Sequence, residues 1–318
     1  MCGTLAENRD AHRERTMTAS RSESAAPDVV LIHGLWVTAL SWEHWIERYT
    51  ARGFHVIARG WPGMDVDIEQ LRKDPSSVAN LGITEIVDHF DRIARERDRP
   101  PILIGHSFGG LIVQVLLDRG LGAAGVAIDP APVKGILKLP LSTLRVSFPV
   151  LRNPANLHRA TALTPEQFHY AFTNTLNDEE AAAVYERYEV PGPDRVLFQA
   201  GLANFNPHAP TRVDFHNDNR APLLLIAGGK DNISPASLTK SNFELFKDSK
   251  AITSYKEFPE RSHFTIGEKG WEIVADYALD WAVKNAAEWS HKYSSLNTTE
   301  TMASFEPPAR RPDVINPS

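Results

Sequence analysis

The sequence predicts an α/β fold: a mostly parallel sheet flanked by helices, with a helical segment inserted between two of its later strands. Three observations lead there. Short apolar runs alternate with helix-length amphipathic segments. A serine flanked by glycines, in Gly105-His106-Ser107-Phe108-Gly109-Gly110, sits between one such run and an apolar helix. The alternation then fails between Pro130 and about Asp214, where helical patterns follow one another without strands.

Residues 1–27 are polar, charged and aperiodic, too poor in apolar surface to offset the entropy of ordering, and are expected to form a disordered arm. The first strand is expected at Asp28–Ile32, followed by the loop His33-Gly34-Leu35-Trp36, and the second at His55–Ala58. Thr84 is read as the N-cap of a helix whose inward face is Ile86, Val87, Phe90, Ile93 and Ala94. A third strand, Ile102–Gly105, leads into Ser107, and the apolar helix behind it stops at Gly120. Gly125–Ile128 forms the fourth strand and ends at Asp129.

Within 130–214, Thr164-Pro165-Glu166-Gln167 combines an N-cap, a proline at the first helical position and a reciprocal Gln. Asn177 with Asp178, Glu179 and Glu180 starts a second helix, stopped by Pro191 and Gly192. The fifth strand is expected at Leu223–Ala227, a capped helix at Ser234-Pro235, and the sixth strand at Ser254–Phe258. A last helix turns Val274, Tyr277, Ala278 and Trp281 inward, and 290–318 reads as a second disordered tail. The core is thus 28–129 together with 215–289.

A chain of 318 residues, 42% hydrophobic and 23% charged, can bury a substantial core. A net charge of -6 without any long basic run gives no footprint for nucleic acid. The single cysteine, Cys2, permits no intramolecular disulfide and no cysteine-built zinc site, which fits a reducing compartment. With no apolar run of bilayer length and no apolar core of a secretion signal, a cytoplasmic protein without a membrane span is expected.

The serine carries the chemistry. On a sharp strand-to-helix turn its backbone is strained, so its neighbours two residues away must be small, and Gly105 and Gly109 supply that room. A hydroxyl alone is a weak nucleophile; an imidazole must take its proton and a carboxylate must orient the imidazole. On these residues the chain resembles the α/β-hydrolase superfamily over about Asp28 to Trp289. The resemblance implies Ser107 as nucleophile, Asp231 in Gly228-Gly229-Lys230-Asp231 as acid and His263 in Arg261-Ser262-His263-Phe264 as base. Asp129, after the fourth strand, is the rival acid. Asp231 also reads simply as a turn residue. His33 and His106 are expected to be structural.

The His33-Gly34-Leu35-Trp36 loop resembles the family's oxyanion segment, which assigns the backbone amides of Leu35 and Phe108 to the developing negative charge. The inserted segment would be a cap. Its aromatic residues suit an apolar substrate group, so Trp36, Phe148, Phe168 and Phe172 are taken as substrate contacts, although packing accounts for each of the three insertion residues singly. Lacking an opening strand pair, the chain is most similar to the short six-stranded plant esterase and hydroxynitrile lyase branch. A serine at the elbow argues against the dehalogenase and epoxide-hydrolase branches, whose covalent intermediate needs a carboxylate nucleophile. The expected function is hydrolysis of a small-to-medium apolar ester, without metal or cofactor, by a monomer or homodimer. Lyase or carbon–carbon bond chemistry on the same three residues, and a slowly turning-over ligand receptor, remain alternatives.

Overall fold

The computed structural model describes residues 26–303. Apart from Ala26 and Pro27, the expected N-terminal arm lies outside the described residues. The chain runs through β1 (Val29–Ile32), α1 (Glu43–Ala51), β2 (Val56–Ala58), α2 (Ile68–Lys73), α3 (Ile83–Arg95), β3 (Ile102–His106), α4 (Phe108–Asp118) and β4 (Ala124–Ile128). It continues through α5 (Leu141–Leu151), β5 (Ala160–Thr161), α6 (Pro165–Ala171), α7 (Asp178–Tyr188), β6 (Gly192–Pro193), α8 (Asp194–Gly201), β7 (Leu223–Gly228), α9 (Ala236–Leu245), β8 (Thr253–Phe258) and α10 (Trp271–Ala303).

The six predicted strands all form, and they pair in the order β2-β1-β3-β4-β7-β8, every pair parallel. β1, β3, β4 and β7 are buried along their whole length because helices cover both faces, which is why their sequences read as continuous apolar runs. Tyr49 of α1 donates to Ala275 O of α10 (2.7 Å), so these two helices share one face. Asn242 of α9 donates to Gln114 of α4 (2.8 Å) on the other. The chain steps from β1 outward to β2, then returns past β1 to β3. That reversal leaves a crevice between the carboxyl ends of β1 and β3, where open parallel sheets bind ligands.

Four expectations shift. Helix α3 begins at Ile83, with Thr84 inside it, because the cap comes from elsewhere: Gln199 Oε1, on α8, accepts from Ile83 N (2.7 Å). The buried stripe of α10 is Val274, Ala275, Ala278, Leu279 and Ala282, while Tyr277 is part-exposed, since small residues let the helix lie close to the sheet. Helix α10 also runs to Ala303, through the beginning of the expected tail; no glycine or proline interrupts 271–303. Residues 304–318 lie outside the described residues. Finally, the insertion is not strand-free, since β5 and β6 form a short antiparallel pair.

The predicted reciprocal cap of Thr164 and Gln167 forms, and the expected helix start at Asn177 proves to be a second capping box, closed by Glu180. Arg72 of α2 ties the insertion to the core by donating to Glu189 O (3.0 Å) and Glu186 O (2.7 Å). Beside it, the Glu189 carboxylate accepts from Leu163 N (2.9 Å), yet burial pushes its pKa up to about 7. A raised acid binds its proton more tightly folded than unfolded, so this contribution to stability is present at low pH. It is lost as pH rises from the ordinary carboxylate range through about 7. Glu189→Gln should therefore flatten the fall in melting temperature between pH 5 and pH 8 on the order of a few degrees; an unchanged slope would assign the pH dependence elsewhere.

Candidate active site

Ser107 joins β3 to α4 at φ 55°, ψ −119°, a conformation costing about 1–3 kcal/mol that persists only where the surroundings fix it. They do: Ser107 N donates to Ile128 O (2.9 Å), and Ser107 O accepts from Gly110 N (2.9 Å) and Ala131 N (3.0 Å). The flanking glycines are sterically required. A Cβ at Gly105 would lie 2.1 Å from Gly109 O, and one at Gly109 would lie 2.0 Å from Ile32 O. Because both obstacles are backbone, Gly109→Ala should destabilise the fold by roughly 3 kcal/mol or more, at the severe end for single substitutions. Urea unfolding checks this, and a loss below about 1 kcal/mol would contradict so tight a turn.

The loop after β1 closes against the same serine. A Cβ on Gly34 would lie 2.7 Å from Ser107 Cβ, so only glycine allows the approach. His33 holds the loop: its Nδ1 donates to Gly34 O (2.8 Å) and its Nε2 accepts from Trp61 N (3.1 Å). Burial lowers its pKa to about 4, which keeps the ring neutral and able to accept. Phe108 is the first residue of α4, so its N–H has no acceptor within the helix and forms part of the positive end of the helix dipole.

Asp231 and His263 come from the loops after β7 and β8, adjacent at the carboxyl edge. His263 Nδ1 and Asp231 Oδ2 are 2.6 Å apart, both side chains fully buried. The other carboxylate oxygen, Oδ1, accepts from Ile233 N (2.6 Å) and Ser234 N (2.9 Å). Asp231 is thus both turn former and histidine partner, while α9 starts after Pro235 without the side-chain cap expected at Ser234. The imidazole is walled by Phe172, edge-on at 5.0 Å, and by the ring of His106 at 4.6 Å. His106 Nε2 donates to His263 O (2.8 Å), and burial holds this ring well below the ordinary imidazole range. His263 Nε2 is buried and has no hydrogen-bond partner among the described residues; the structure closes the Asp231–His263 pair and leaves this nitrogen free for a proton from outside the pair.

Asp129 lies fully buried at φ 45°, its Oδ1 accepting from Gly228 N (2.5 Å) and its Oδ2 unpartnered. Burial, and then the charge of Asp231, push its pKa well above the carboxylate range. It makes no hydrogen bond to His263, so the geometry favours Asp231 over its rival. His106, Asp129 and His263 each offer an atom within 4.8 Å of the others, the only such group of potential metal ligands among the described residues. One ring nitrogen of each histidine is committed to a hydrogen bond, and Asp129, its pKa raised by burial, would have to lose its proton to bind a metal.

A cavity of about 480 Å³ opens above Ser107 and Phe108, walled by Trp36, by the segment after β4, and by α5, α8 and Ile233-Ser234. Trp36 is held in place at φ 65° by its Nε1 donating to Thr161 O (3.1 Å). The three other predicted contacts are corrected. Phe148 is 58% exposed, beside Leu141 on the outer side of α5, while Leu144, Ser147 and Leu151 face the cavity. Phe168 and Phe172 stack on each other at 4.6 Å inside the core, Phe172 serving as a wall for His263. Leu35 is also buried and does not line this cavity. The wall residues Val133, Ile136, Leu197 and Ala200 were not anticipated. The proline-bounded segment 130–140, following a strand's carboxyl end, was the signal for two of them.

The sequence profile described as the alpha/beta hydrolase family matches residues 29–277. An epoxide hydrolase A from Mycobacterium tuberculosis is 27% identical over 137 residues, covering 39% of this chain and 38% of that protein, so the match spans well under half of the relative's length. Among solved structures, a monoacylglycerol lipase from Paleococcus ferrophilus superposes with a TM-score of 0.56 at 23% identity, covering 82% of this chain and 96% of that one. An Arabidopsis methylesterase superposes at 0.53 with 15% identity, covering 80% and 98%. These similarities, together with the sheet order and the serine turn, place the chain in the alpha/beta hydrolase family.

Proposed function

We propose that the protein hydrolyses a carboxylic ester of an apolar substrate through an acyl-enzyme on Ser107. The observation that carries this reading is the strained serine at the base of an apolar cavity, together with a buried imidazole held by Asp231 and keeping one nitrogen free. In the first half-reaction Ser107 Oγ bonds to the carbonyl carbon while its proton passes to His263 Nε2. The carbonyl electrons move onto oxygen, facing the amides of Leu35 and Phe108. The carbon–oxygen bond to the alcohol then breaks, and the imidazolium returns the proton to the leaving oxygen. Water repeats the sequence, releasing the acid and restoring the hydroxyl.

Asp231 stabilises the imidazolium and fixes Nδ1 as the protonated nitrogen, which leaves Nε2 as the base. An epoxide-opening reading finds a hydroxyl where a carboxylate nucleophile is needed. A fluorescent alkyl phosphonate tests the proposal directly. It should label the protein once, on the peptide containing Ser107, and hydrolysis in ¹⁸O-water should place the label in the acid. Unlabelled Ser107, or products formed without uptake of water, would overturn acyl-enzyme hydrolysis.

A further inference from the structure

The rim of the cavity is unusual for a surface. Leu137, Leu139 and Phe205 line it while being 83%, 63% and 86% exposed, and Leu141, 83% exposed, follows directly along the chain. Single exposed leucines are ordinary; a ring of them around one opening is not. Inside, the polar wall groups are occupied by the protein itself. Thr143 donates to Ile233 O and Ser147 to Thr143 O, each at 2.8 Å. Asn204 donates to Ile136 O and accepts from Gly135 N, also at 2.8 Å. What remains is the hydroxyl of Ser107 at the base, the unpartnered Oγ of Ser234 beside it, and one cation, Lys138, exposed among the rim leucines.

Beyond the reacting carbon such a wall is mostly hydrocarbon, its polar side chains already paired within the protein and Lys138 adding a cation only at the rim. We infer that the substrate is an ester bearing one long unbranched aliphatic chain, which runs from Ser107 through the cavity and out between Leu137, Leu139 and Phe205. A short chain would leave the rim leucines in water, and a polar or charged tail would lose hydration along the wall without recovering a partner. The inference rests on the proposed ester hydrolysis for its chemistry, but not for its binding site.

The test is a chain-length series measured below the aggregation concentration of each compound. p-Nitrophenyl acetate, butanoate, octanoate and dodecanoate place the chain on the acyl side; butyl, octyl and dodecyl acetates place it on the alcohol side. One of the two series should show kcat/KM rising about twofold or more per methylene. Leu137→Ser/Phe205→Ser should lower the octanoate-to-acetate ratio of kcat/KM, or octyl-to-butyl in the alcohol series, at least tenfold. Ser107→Ala should still bind the favoured dodecyl compound more tightly than its butyl counterpart in calorimetry. That separates the two ideas, because loss of turnover with retained chain-length-dependent binding sinks only the hydrolysis. Flat dependence in both series and in binding, or a rise confined to aggregated substrate, would overturn the chain channel.

Discussion

Ser107→Ala is expected to reduce kcat on a p-nitrophenyl ester by about 10⁶, the scale of nucleophile loss where three residues act as a unit. The substitution removes one oxygen and leaves the elbow in place. The turn is set by the hydrogen bonds of Ser107 N and O to Ile128, Gly110 and Ala131, none of which involves the side chain. Thermal unfolding should therefore stay close to that of the parent protein while turnover disappears. The residual rate measures what the cavity and the backbone amides of Leu35 and Phe108 do by themselves. If the alanine protein kept more than about a tenth of the parent rate, nucleophilic catalysis by this serine would be refuted.

The second large effect separates two buried carboxyls. Asp231→Asn should cost about 10⁴ in turnover, because an amide at the 2.6 Å position can donate to His263 Nδ1 and thereby trap the tautomer whose Nε2 carries the proton. Asp129→Asn should remain within about tenfold, since an amide is close in shape to a carboxyl whose ionisation is disfavoured by burial and by its neighbour's charge, and its oxygen can still accept from Gly228 N. Asp231 faces Asp129, as does Glu268 more remotely, while Gly228 N–H supplies the opposing stabilisation of its charge. Folding therefore raises proton binding at Asp129. Its contribution to stability is greatest below the ordinary carboxylate pKa and declines as pH rises towards the raised one, a decline the asparagine variant should lack. Comparable losses for the two variants would mean that both carboxyls orient the histidine.

Much of the architecture could be read from the chain because buried parallel strands announce themselves. Val29–Ile32 and Leu223–Ala227 are apolar on both faces, and no amphipathic helix produces such runs bounded by turn residues. The capping box at Thr164 and the helix start at Asn177 were equally legible, since each is set by residues within four positions. Where an element depended on something distant, local reading failed. The start of α3 is fixed by Gln199, 116 residues away, and Thr84 carries no trace of that bond. The inward stripe of α10 was misplaced towards Tyr277, since a large residue gives a strong apolar signal whereas a helix lying close on a sheet selects Ala275, Ala278 and Ala282.

The site divides along the same line. The sequence by itself determined the serine elbow, because a strained turn demands glycines at fixed offsets and those offsets are visible without coordinates. It also determined that an aspartate and a histidine follow strands in the right chain order. Only the tertiary structure distinguished Asp231 from Asp129, since both end strands of one sheet and the difference lies in which carboxylate oxygen reaches His263 Nδ1. It likewise removed Phe148, Phe168 and Phe172 from the cavity wall and put Ile136, Leu137 and Phe205 there. An aromatic residue's position along a helix fixes its angle about that helix, but what lies at that angle, whether solvent, core or cavity, is set by how the insertion packs over the sheet.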